Sequence, residues 1–236
     1  MSKKIVNIAG LGPVVMNKRR GMRNIRIAVM ANGVVRVNLP KWASFWTAER
    51  FVKKHSDWIV RQKSKVEVLV IRPGDKIGRL AIVKFEQKAA KRTTAKISAE
   101  TILVRSPFAW SSPQVQKTLH QAAERSLKMQ AKVILPARTE VLSKRSGLKF
   151  NELRIRKMTS RWGSCSAKAN ISLSLFLIQL PDELMDYVIM HELVHTKHLN
   201  HGRAFWGLMQ KLSPNTKTLR KRLRRIGPAL RPVNRY

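Results

Sequence analysis

An α+β fold in two parts is what this sequence predicts: a small β-rich domain with one helix over residues 1–106, then a domain over 107–236 built on a small sheet and a helix pair, closed by a basic C-terminal helix. Three observations predict it. Residues 24–39 alternate apolar and polar side chains about Asn32-Gly33, a strong short-range signal of a β-hairpin. Residues 170–177 alternate again, with Ile171, Leu173, Leu175 and Leu177 on one face of a strand. After Pro181 the pattern turns helical, with Asp182 and Glu183 in the first turn, where carboxylates complement the helix dipole and need no catalytic role.

Composition sets the outer limits. The chain has 236 residues, enough for one large domain or two small ones, and its 44% hydrophobic content argues against disorder throughout. Its 48 Lys+Arg against 13 Asp+Glu give a net charge of +35. Such a field attracts polyanions, whether nucleic acid, nucleotide phosphates or anionic lipid. Cys165 is the single cysteine, which excludes an internal disulfide and suits a reducing compartment. Lys3-Lys4 before Ile5 to Met16 has a faint signal-peptide outline, but Asn7, Gly10, Gly12 and Pro13 interrupt it and Lys18-Arg19-Arg20 follows, so it reads as part of the fold. No apolar run approaches the roughly 20 residues of a membrane-spanning helix, and a cytoplasmic location is expected.

In chain order, the hairpin ends at Pro40, and Phe45, Ala48, Phe51, Val52, Ile59 and Val60 recur at helical spacing from Ser44 to about Lys65. Short β-prone runs follow at Leu80 to Phe85 and Thr101 to Val104, separated by a basic, small-residue segment. Ser106 to Pro113 reads as the junction. A long amphipathic helix follows from Pro113 to Leu142, which Pro136 should kink or divide. His120 on it reads as structural. Leu153 to Met158 reads as a strand and Arg161-Trp162-Gly163-Ser164-Cys165-Ser166 as a tight connection. Nothing adjacent to Cys165 activates it as a nucleophile.

The chemistry concentrates in His191-Glu192-Leu193-Val194-His195. Residues i and i+4 share a helix face, so His191 and His195 can close on one ion at about 2.0–2.1 Å each. Glu192, rotated roughly 100° from His191, is placed to meet a metal-bound water rather than the ion, as a general base. His198 returns to the same face but lies about 10 Å further along a straight helix. His201 reaches the ion if the chain turns back after Lys197, with Asn200 as N-cap of a second helix carrying Ala204, Phe205, Leu208, Met209 and Leu212. The expected ligands of zinc are therefore His191, His195 and His201. Beyond them, Lys211 to Tyr236 contains nine Lys/Arg and no acid, with Leu219, Leu223 and Ile226 marking a basic amphipathic helix.

Arg161 to Ser166, Asn170-Ile171-Ser172-Leu173, Asp186-Tyr187-Val188, the His191 to His195 motif, Asn200-His201 and Phe205-Trp206 together resemble the YgjP-like zinc metallopeptidase family, near the SprT and WLM zincins. The resemblance is good across about 106–230 and extends in part to 24–65. It implies a zincin-like metallohydrolase domain with the same three histidines as ligands and Glu192 as base.

Three functions stay open on the sequence. The favoured one is a zinc-dependent hydrolase of metallopeptidase type, in which the strand at 170–177 pairs with an extended peptide substrate. A second keeps the metal and hydrolyses a phosphoanhydride, as in a nucleoside triphosphate, with Lys/Arg binding the phosphates. A third is a basic module with a structural metal, binding nucleic acid without sequence preference through Arg220, Lys221, Arg222, Arg224 and Arg225. It is weakened by having three evident ligands, since structural zinc is normally closed by four. Oligomeric state is not legible in the sequence.

Overall fold

The computed structural model describes residues 2–30, 33–64 and 69–230. Asn32 of the hairpin turn, Lys65 at the helix end, and Arg231 and Arg235 of the basic segment lie outside them. The fold is mixed α+β, with three small sheets and six helices among the described residues. It divides into two compact units, Met1–Leu69 and Val70–Tyr236.

The first unit is a four-stranded sheet with two helices. The expected hairpin is present, β3 (Arg26–Val29) pairing antiparallel with β4 (Val35–Pro40). Its neighbours β1 (Lys3–Ile8) and β2 (Gly12–Arg19) form a second hairpin from the glycine-interrupted N-terminal segment, and β2 runs parallel to β4. Alternate residues Val14, Met16, Val35, Val37 and Leu39 are buried against Ala48, Val52 and Ile59. Those last three come from two helices, not one: α1 (Phe45–Lys54), capped where Thr47 N–H donates to Ser44 Oγ at 3.0 Å, and α2 (Ser56–Ser64). The break falls at His55, whose N–H bonds back to the Val52 carbonyl and whose ring Nδ1 meets the Phe51 carbonyl at 2.8 Å.

The second unit starts earlier than the 106/107 division expected from sequence. A four-stranded sheet, β5 (Lys76–Ile77), β6 (Ala81–Gln87), β7 (Thr94–Ile97) and β8 (Thr101–Ser106) in the order β5-β6-β8-β7, belongs to it. The physical reason is α3 (Pro113–Ser146), on which that sheet packs. From α3, buried Gln130 accepts from the N–H groups of Arg79 and Leu80 and donates to the Ile77 carbonyl and Ser126 Oγ, so strand turn and helix share one hydrogen-bond network. Pro136 does not divide α3, which ends at Gly147 in the left-handed conformation, φ 71°.

The remaining sheet is three-stranded, in the order β10 (Gly163–Cys165), β11 (Asn170–Ser174), β9 (Glu152–Arg156). Part of the expected connection at 161–166 is thus strand β10, paired antiparallel with β11. The strand expected over 170–177 stops at Ser174, whose hydroxyl donates to the Met158 carbonyl and accepts from Phe176 N–H. Residues Leu175–Gln179 form a buried 3-10 turn instead. Because β11 is central, both of its edges are occupied, and the substrate pairing expected of it is not available there; β10 is an edge strand.

Helix α4 (Asp182–His195) follows Pro181 and is buried almost all round. Three ion pairs hold it among the described residues: Arg138 of α3 meets Asp186 through both carboxylate oxygens at 2.6 and 2.5 Å, Arg79 meets Asp182 at 2.6 Å while also donating to the Ile178 and Leu180 carbonyls, and Arg222 meets Glu183. The bidentate pair fixes rotation as well as position. Helices α5 (Arg203–Leu212) and α6 (Thr216–Leu223) complete the unit, both against α4. No helix among the described residues is long and apolar enough to cross a membrane.

Candidate metal centre

His191 and His195 project from one face of α4 because they lie one turn apart. The helix ends at once: Thr196 caps it, its N–H bonding to the Leu193 and Val194 carbonyls. The chain then folds back through residues 197–202, and α5 starts at Arg203 with Gly202 as N-cap. Asn200 is not the cap. Its carbonyl instead accepts from Gly202 N–H at 2.8 Å, tightening the turn that delivers His201.

The three ring nitrogens converge. His201 Nε2 lies 3.0 Å from His191 Nε2 and 3.2 Å from His195 Nε2, and the three donor atoms lie within 4.8 Å of one another. Four tetrahedral ligands at about 2.0–2.1 Å from a zinc ion sit roughly 3.3 Å apart, so the spacing fits a metal. The donor set fits too. A carbonyl only accepts, so the 3.0 Å contact of His195 Nδ1 with the His198 carbonyl puts the proton on Nδ1 and leaves the Nε2 lone pair facing the other rings. His191 Nδ1 is buried without a partner among the described residues, and burial, with the neighbouring His195, His201 and Arg220, pushes its imidazole down to about 3. A ring kept neutral is the form that ligates.

One residue holds all three rings. Phe205, 1% exposed on the first turns of α5, packs its ring 4.9, 4.5 and 4.7 Å from the centroids of His191, His195 and His201, within the range where aromatic pairs attract. Trp206 stacks on His201 at 5.6 Å. From sequence, Phe205 reads as core of an amphipathic helix; its second role appears only when α5 meets α4.

Glu192 is 5% exposed and lies against β10. A Cβ on Gly163 would stand 2.5 Å from Glu192 Oε1 and 2.7 Å from its Cγ, so only glycine leaves room for the carboxylate. Burial pushes this acid up to about 8, against the opposing pull of the Arg161 guanidinium. Both residues, with His191 and His201, line a cavity of about 660 Å³ whose walls include Trp162, Tyr187, Trp206, Arg220 and Arg224. Trp162 Nε1 donates to the Ile226 carbonyl at 3.2 Å, tying the segment after α6 to this cavity.

The five cations of residues 220–225 do not form one free face. Arg222 is paired with Glu183, whereas Arg220 stands 4.4 Å over the Trp206 ring and lines the cavity with Arg224. Cys165, half-buried on β10, is pushed up to about 11 by burial and by the Glu192 charge. At pH 8 that leaves about 0.1% thiolate, so iodoacetamide should alkylate it about two orders of magnitude more slowly than free cysteine. Alkylation at the free-thiol rate would restore it as a candidate nucleophile.

Convergent imidazoles beside a buried carboxylate, in a cavity open to a substrate, are the parts of a metallohydrolase centre. Comparison with known proteins gives the class a family. The chain belongs to the YgjP-like family: the model described as YgjP-like, metallopeptidase domain matches residues 23–226. A hydrolase of metallopeptidase type, with a divalent metal, follows from that membership. No curated protein matches. Similar solved structures include the metallopeptidase zymogen abylysin of Pyrococcus abyssi, 26% identical over 38% of this chain and 91% of that one, TM-score 0.36. Another is the metallopeptidase zymogen jannalysin of Methanocaldococcus jannaschii, 22% identical over 39% and 96%, TM-score 0.33. At these scores neither adds to the family assignment.

Proposed function

We propose that the chain is a zinc-dependent peptidase in which His191, His195 and His201 hold the ion and Glu192 is the general base. The observation that supports it most is the approach of the three Nε2 atoms to 3.0 and 3.2 Å, with the His195 proton held on the opposite side of its ring. A zinc ion held by these three imidazoles would supply Lewis acidity at the reacting carbonyl and make water more acidic at neutral pH.

The rest is done by the chain itself. Glu192, rotated off the ligand face of α4, accepts the proton of the attacking water and returns it to the departing amine. Gly163 fixes where that carboxylate can sit, since any side chain there displaces it. The edge of β10, with Arg161, Trp162 and Gly163 lining the cavity, is the strand beside which an extended peptide can pair.

The test is elemental analysis together with peptide cleavage. About one zinc per chain is expected, with activity lost on chelation and restored by zinc; cleavage that survives removal of all metal would overturn the proposal. Gly163→Ala is expected to keep zinc while kcat falls about 10²-fold, the order of loss for an ångström of misplacement. An unchanged kcat in that variant would free Glu192 from any dependence on β10.

A further inference from the structure

The cavity over the histidines carries three arginines. Arg161 stands just before β10, and Arg220 and Arg224 are one turn apart at the end of α6. Among the described residues none of the three makes an ion-pair contact, Arg161 acting on Glu192 only from a distance, although arginines of the same unit do: Arg79 with Asp182, Arg138 with Asp186 and Arg222 with Glu183. With 48 basic and 13 acidic residues, many cations are bound to go unpaired. What separates these three is location. They share one cavity whose only acidic lining residue among the described residues is Glu192, and Arg222, between two of them on the helix, is drawn off to Glu183.

Arg220 is also held in place. Its guanidinium lies 4.4 Å over the Trp206 ring, and Trp206 in turn stacks on His201. A planar cation on an indole face keeps its hydrogen-bonding edge for another partner. A neutral substrate would leave this charge uncompensated within the cavity; a carboxylate beside the scissile bond would meet guanidinium forks matched to it.

We propose that Arg220 and Arg224, with Arg161 lining the same cavity, form an anion subsite that recognises a carboxylate side chain of the peptide substrate, so that cleavage is favoured next to Asp or Glu. The proposal rests on the peptidase reading above and adds its substrate class. The arginines, not the metal, set the preference.

The experiment uses the zinc-loaded full chain and matched fluorogenic peptides that differ only in Glu or Gln beside the cleaved bond. The Glu peptide is expected to have kcat/KM about tenfold higher or more at low salt, the effect of one charge-assisted hydrogen bond, with the ratio shrinking as salt screens the guanidinium groups. Arg220→Gln with Arg224→Gln should bring the ratio close to one. Arg224→Glu should turn it in favour of a Lys peptide, a reversal that misfolding cannot produce. Equal cleavage of both peptides by the wild type, or a ratio that persists in the double variant, would overturn the proposal. So would hydrolysis of a nucleoside triphosphate that is lost in the double variant while no acidic-peptide preference exists, which assigns the arginines to phosphate. Binding of the same peptides to Glu192→Gln, read by fluorescence anisotropy, measures the ratio without turnover. If no peptide is cleaved yet that binding ratio holds, the peptidase reading fails and the anion subsite stands.

Discussion

Glu192→Gln is expected to retain zinc and to lose turnover by on the order of 10²–10⁴, the contribution of general-base catalysis alone. The amide has the size of the acid it replaces, so it fits the space that Gly163 leaves against β10, where the side chain is 5% exposed. It cannot take a proton from water. The three ring nitrogens that define the centre are untouched, because Glu192 points off the face that carries His191 and His195. Folding should not suffer either: burial already opposes the charge of this carboxyl, and a neutral amide removes that opposition. Metal content, thermal stability and kcat measured on one preparation separate the cases. Near-wild-type turnover with zinc bound would take Glu192 out of the mechanism.

How much of this was legible beforehand differs from element to element, for physical reasons. Helix α4 and the shared face of its two histidines were legible because their signals are local, an i, i+4 pair and a Pro-Asp-Glu start, and local geometry does not depend on the rest of the chain. His201 was legible as a partner, but the turn that brings it was not. The chain uses the Thr196 N–H on the Leu193 and Val194 carbonyls and Gly202 as cap, rather than Asn200. The strand at 170–174 was legible, yet Leu175 and Leu177, which continue its alternation, lie in a 3-10 turn. All of Leu175–Gln179 is buried, so an alternating pattern there does not report a single buried face. The pair β1 and β2 was hidden by glycines that serve as its turn.

What the sequence could not show is what tertiary approach creates. Gly163 looked like a turn residue and proves to be the space for a carboxylate arriving from α4. Phe205 looked like ordinary core and proves to be the surface on which three imidazoles rest. The basic helix read as one amphipathic segment with its cations open to a polyanion; pairing with Glu183 and stacking on Trp206 divide it. Charge counts alone do not say where a cation points.

His191→Ala, His195→Ala and His201→Ala are each expected to lose the metal, because a centre with three protein ligands cannot drop to two and keep the affinity that holds zinc through dialysis. His198→Ala is the informative control. That residue does belong to the site, but through its backbone: its carbonyl oxygen accepts from His195 Nδ1 at 3.0 Å, and a carbonyl survives any side-chain substitution. Zinc should therefore stay at about one per chain in His198→Ala, with the His195 tautomer still fixed. The His201 variant probes something else, since its ring is the one proposed ligand from beyond the end of α4 and meets both partners at 3.0 and 3.2 Å. Its removal leaves two imidazoles on one helix face and takes away the Trp206 stacking partner. Elemental analysis after dialysis, with circular dichroism to confirm that each variant is folded, decides the matter. Zinc lost from His198→Ala and kept by His201→Ala would mean that the chain does not turn back where α4 ends, and the centre would have to be rebuilt on a longer helix.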